Sequence, residues 1–92
     1  MNEQLFPLGE VVITSNALDY LNDQNFNGLD LLKRHHSGDW GDLCKEDKEM
    51  NDNAVKSKQD RILSAYMVDE VKLYVITEWD YSVTTILIAS DY

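Results

Sequence analysis

The sequence predicts a single α+β domain with the element order β-α-α-α-β-β-β, an antiparallel sheet covered by helices on one face. Three observations carry this expectation. Alternating, β-branched runs occur once near the N-terminus and three times in the last third of the chain. Between them, apolar residues recur at helical spacing behind capping residues. With 92 residues, the chain makes one domain over 1–92, since dividing it would leave neither half an adequate interior.

Residues 1–9 read as a lead-in anchored by Phe6 and Leu8 around Pro7. EVVITS is the first strand, because Val, Ile and Thr suit a pleated, half-buried surface. Thr14, Ser15 or Asn16 can cap the helix that follows, which carries Ala17, Leu18 and Leu21 as its stripe and stops at NDQN. Asn27 opens a second helix, with Asp30 near its positive end and Lys33, Arg34, His35 and His36 near its negative end. Gly38 suits the position just past its end. DWGD then turns the chain, and Asp42 is expected to cap a third helix reaching about Lys58.

That third helix is unusual, because Asp47 and Asn51 share a stripe with Leu43 and Ala54. Polar groups on an inward face need partners, or their burial costs a few kcal/mol. RILSAYMV, VKLYVITEW and SVTTILIAS complete a meander, turned at Asp69-Glu70 and at WDYS. The meander's last strand is open to pairing with a second copy, which would give a homodimer.

Composition narrows the function classes. Apolar residues make up 43% and aromatic residues 10%, enough for a packed core. Eight basic residues face 17 acidic ones, a net charge of −9. The electrostatic attraction that dominates phosphate binding therefore has the wrong sign, and direct nucleic-acid or anionic-membrane binding is not expected. The lone Cys44 provides no disulfide and no thiolate cluster, and is expected to be a small buried residue. No apolar run is long enough to span a bilayer, and MNEQLFPLGE lacks the features of a signal peptide, so a cytoplasmic protein is expected.

Two clusters stand out. RHHSGDWGDL brings His35, His36, Asp39 and Asp42 together, with Asp47 and Asn51 just beyond. A histidine with several carboxylates suits a hard divalent ion or acid–base chemistry. Alternatively it is a structural corner in which Asp39 holds the turn, Asp42 caps and Trp40 plugs the core. The spacing matches no established metal pattern, and no cofactor is assigned. The second cluster, TEWDYSVTT, gathers Thr77, Glu78, Asp80, Ser82 and Thr84 in the last hairpin. Ser82 has no glycine elbow, so hairpin hydrogen bonding and cross-strand Thr pairing account for it more simply. Ser64 and Tyr66 share one face of LSAY and can present hydroxyls toward Asp47 or Asn51 if the third helix packs across that strand.

FPLGEVVIT, RHHSGDWGDL, RILSAY, VITEWDYSVTT and the final DY together resemble a family of short, uncharacterised bacterial proteins labelled plasmid-related. The resemblance spans nearly the whole chain. Its pattern falls on His35, Gly38 to Leu43, Asp47, Asn51, Ser64, Tyr66, Thr77, Glu78, Asp80, Ser82, Thr84, Thr85 and Tyr92. The chain departs from it at Trp79 and Tyr81, where the family shows Ala and Arg, and lacks the family's Asp-Gly hairpin turn.

The leading expectation is a non-catalytic binding or interaction module, an accessory of bacterial mobile elements with a protein partner. Its working surface would combine His35, Asp39, Trp40, Asp42, Asp47, Asn51, Ser64, Tyr66, Glu78 and Asp80, with Trp79 and Tyr81 as an exposed apolar patch. The alternatives are a metal-dependent hydrolase or nuclease using His35, Asp39, Asp47 and Glu78, and an acidic DNA mimic.

Overall fold

A computed structural model describes residues 4–92, so the first three residues of the expected lead-in lie outside the described residues. The elements are β1 (Glu10–Ile13), α1 (Ser15–Asp23), α2 (Gly28–His36), α3 (Lys45–Ser57), β2 (Ile62–Val68), β3 (Val71–Thr77) and β4 (Val83–Ile88), followed by one 3₁₀ turn (Ala89–Asp91). The fold is the α+β arrangement expected, in the expected order.

The sheet runs β1-β4-β3-β2 and is mixed rather than purely antiparallel. β2, β3 and β4 form the antiparallel meander, while β1 lies parallel to β4 with Ile13 beside Ile86. Parallel pairing needs a long crossover, and the three-helix segment between β1 and β2 leaves room for one. This placement removes the route to a homodimer through the last strand. β4 is flanked by β1 and β3, so the last strand has no free edge to offer a second copy.

Local sequence sets the ends of the first two helices. The Thr14 hydroxyl accepts the Ala17 N–H at the start of α1, and the Asn27 side chain accepts the Leu29 N–H at the start of α2. α3 differs from expectation. Its N-cap is Cys44, which makes no capping bond and is exposed rather than buried. Asp42 does not cap it: α3 starts only at Lys45 with Cys44 at its N-cap, while the Asp42 N–H donates to the Ala65 carbonyl at 2.6 Å and its carboxylate lies 3.8 Å from Lys72.

Ala17, Leu21, Leu31, Leu32, Tyr66, Leu73, Val75 and Ile86 form the main core between the helices and the sheet. A second cluster of Phe6, Trp40, Ala54 and Ile62 lies beneath α3. No helix among the described residues is long and apolar enough to cross a membrane.

Candidate functional site

β2 is an edge strand, and the chain covers its outer side with its own polar motif. Gly41 bridges Ala65 in parallel, with the Ala65 N–H donating to the Trp40 carbonyl at 3.1 Å. One turn along α3, the Asn51 carboxamide donates to the Leu63 carbonyl at 2.7 Å and accepts the Leu63 N–H at 3.2 Å. Asn51 is buried for this reason, and GDWGD adds a single parallel bridge to the edge. A covered edge cannot recruit another chain.

The same corner encloses a polar chain in the core. His35 is fully buried, with Nδ1 at 2.6 Å from Ser64 Oγ and Nε2 at 2.9 Å from Thr77 Oγ1. Thr77 Oγ1 lies 2.7 Å from Thr84 Oγ1, whose hydroxyl donates to the Leu8 carbonyl at 2.6 Å. Each hydroxyl has one proton, which fixes the direction of the chain. Thr84 donates to Leu8, so Thr77 donates to Thr84 and must accept from His35 Nε2–H. Nδ1 then bears the lone pair and accepts the Ser64 proton. Burial, with a smaller contribution from His36, lowers the His35 pKa from 6.5 to about 3, so the ring is neutral.

A serine 2.6 Å from a histidine resembles an activated nucleophile, but here Ser64 and His35 are both fully buried. Phe6 covers the ring edge-on at 5.1 Å, and is itself stacked at 6.2 Å on Trp40 and at 5.9 Å on Tyr81. The far nitrogen meets a threonine and no carboxylate. The pair is closed to solvent, and the chain of four polar side chains ends on the Leu8 carbonyl.

The other expected site residues disperse. Asp39 pairs with Arg34 at 2.7 Å and accepts the Gly41 N–H. The Arg34 hydrogen bond, more than any other contact, holds its carboxyl below the usual range. Tyr66 donates to the Asp39 carbonyl at 2.7 Å and lies under the Arg34 guanidinium at 4.4 Å, while burial raises its phenol pKa. Trp40 is buried, and its indole N–H donates to Asp52. Asp42 lies 3.8 Å from Lys72.

In the last hairpin, Glu78 is exposed and Asp80 accepts the N–H and hydroxyl of Ser82, which holds its carboxyl down. Trp79 is exposed as expected, whereas Tyr81 packs on Phe6 and is not part of an exposed patch. Ser64 and Tyr66 face His35 and Asp39, not Asp47 or Asn51. Among the described residues, no three His, Cys, Asp or Glu side chains are grouped to hold a metal. The convergence of His35, Asp39 and Asp47 that the hydrolase reading requires is therefore not formed.

Asp47, expected on the inward face, is exposed and looks onto a groove of about 500 Å³ between α3 and the start of β2. Leu43, Met50 and Leu63 supply its apolar lining, and Asp47, Asp60 and Arg61 its charges. Arg61 is turned toward the C-terminus, where it lies 5.4 Å over the Tyr92 ring and donates to its hydroxyl. Asp47 and Asp60 form no ion pair among the described residues. Sequence reasoning reached Asp47 and Asn51 but missed Met50, Asp60 and Arg61. The linker preceding β2 has no periodicity that would assign it to a site. No family model matches the chain, and no curated protein or solved structure matches it either.

Proposed function

We propose that the protein is a non-catalytic interaction module that receives a basic segment of a protein partner in the α3–β2 groove. The observation that carries this reading is the pair of carboxylates, Asp47 and Asp60, set without ionic partners beside Leu43, Met50 and Leu63. Lysine and arginine suit such a surface, since their stems pack on apolar groups while their heads reach charge. The net charge of −9 favours encounter with a cationic partner and disfavours nucleic acid. The resemblance to plasmid-related proteins fits an accessory role in bacterial mobile elements, and that role is part of the proposal.

Titration of ¹⁵N-labelled protein with a short peptide of alternating arginine and leucine tests the reading. Shifts concentrated at Leu43, Met50 and Leu63, lost in Asp47→Asn/Asp60→Asn, are expected. Glu46→Gln/Glu49→Gln removes the same charge from α3 outside the groove and should leave them intact. Equal loss in both double variants, or shifts spread over the whole acidic surface, would contradict a defined docking site.

A further inference from the structure

The two edges of the sheet are treated differently. β2 is closed by Gly41 and Asn51, whereas nothing among the described residues pairs with the outer side of β1. Glu10 and Thr14 turn their N–H groups to Ser82 and Ile86 of the β4 side. By the alternation of a parallel ladder, Val11 and Ile13 then turn their N–H and C=O groups outward. This edge has neither a proline nor an inward-pointing charge. Val11 is 45% and Val12 42% exposed, so β-branched side chains lie open on both faces of the strand.

The geometry points to a second copy of this chain as the occupant of that edge, with β1 pairing antiparallel to β1 about a two-fold axis at Val12. Outward groups must meet outward groups, so Val11 of each copy pairs with Ile13 of the other, exchanging two main-chain hydrogen bonds at each crossing. Val12 then faces its own counterpart across the axis. Isologous contacts of this kind need a self-complementary patch, and EVVI supplies one.

Charge supports this register despite the acidity of the chain. Glu10 falls opposite Thr14 of the second copy, the N-cap of α1, and not opposite another Glu10. The first turn of α1 contains no acidic residue, so its positive end is free to accept a carboxylate nearby. The pairing would make one continuous sheet from two four-stranded ones. It would also place the two α3–β2 grooves at the far ends, since β1 and β2 are opposite edges. A partner with two basic segments would then be held bivalently. The dimer stands on the β1 edge alone, and its failure would leave the groove reading untouched.

Multi-angle light scattering over a concentration series should give a dimer, and Val12→Lys, which opposes two ammonium groups on the axis, should give a monomer with unchanged circular dichroism. Cross-linking tests the register in a Cys44→Ser background. At a non-hydrogen-bonded pair the Cα atoms lie roughly 4.5 Å apart, within disulfide range. Val12→Cys should therefore oxidise to a covalent dimer, and Val11→Cys should not. A wild-type monomer at every concentration, a dimer that survives Val12→Lys, or faster cross-linking through Val11→Cys would overturn the proposal.

Discussion

The carboxamide of Asn51 takes the place of a neighbouring strand at Leu63, donating to its carbonyl at 2.7 Å and accepting its N–H at 3.2 Å. A side chain on α3 thereby completes the hydrogen bonding of an edge strand, which is why a polar residue occupies an inward helix position. Asn51→Leu preserves the volume but leaves both Leu63 groups without partners. A loss of ~1–3 kcal/mol in urea denaturation is expected, together with faster aggregation on heating. A stability equal to wild type would contradict the edge-closing role.

Gly41 permits the close approach on which the same edge depends. Its φ is +77°, and a Cβ there would lie 2.0 Å from the Ala65 carbonyl oxygen, a main-chain atom that cannot swing aside. Gly41→Ala should cost several kcal/mol and leave little folded protein. Gly28→Ala meets only side chains at 3.6 Å or more and should change stability by ~0.5 kcal/mol or less. Thermal melts of the pair distinguish a specific steric requirement from a general intolerance of substitution.

The buried chain through His35 predicts an acid sensitivity of definite sign. The native ring has a pKa of about 3 and the unfolded ring about 6.5, so between these values the unfolded state binds a proton that the native state does not. The stabilisation is complete above pH 6.5 and declines as pH falls toward 3, by up to ~1.4 kcal/mol per pH unit. Urea denaturation from pH 8 to pH 4 should show this slope, and His35→Gln should flatten it. Thr77→Val strands the Nε2–H and should cost ~1–3 kcal/mol at neutral pH, whereas Thr77→Ser keeps the acceptor and should cost less.

Asp39 provides the test of the metal alternative. Its carboxylate is committed to Arg34 and to the turn. Melts of EDTA-treated protein should be unmoved by magnesium, manganese, calcium or zinc. Asp39→Asn should melt slightly lower in every condition, because a half-exposed pair contributes no more than ~1 kcal/mol. A metal-specific rise that disappears in Asp39→Asn would restore the hydrolase reading by mass action.

Much of the fold was legible because its signals are local. Thr14 and Asn27 cap where a hydroxyl and a carboxamide precede apolar periodicity, and the three C-terminal strands alternate clearly. The parallel pairing of β1 was not legible, since nothing in EVVI records which strand it will meet. The start of α3 was misplaced for a related reason. Asp42 has the chemistry of a cap, but pairing of the turn with the distant Ala65 holds it on the sheet edge, and α3 starts only at Lys45.

In the candidate site, the residues were legible and their roles were not. His35, Ser64, Thr77 and Thr84 stand out as polar groups among apolar neighbours. Only tertiary packing reveals that they face one another, and that Phe6 seals them from solvent. Asp47 and Asn51, read together from one stripe, both line the α3–β2 groove, but Asn51 is buried against Leu63 while Asp47 is exposed.

The buried chain from Ser64 through His35, Thr77 and Thr84 to Leu8 is a polar core with its hydrogen bonds satisfied, rather than a reactive site. Two-dimensional ¹⁵N–¹H correlation of the His35 ring nitrogens, followed from pH 8 to pH 4, tests this most directly. A neutral ring protonated on Nε2, which does not titrate while the protein stays folded, is expected. A native His35 that titrates near 6.5, or carries its proton on Nδ1, would mean that the ring meets solvent or another partner and would contradict the claim.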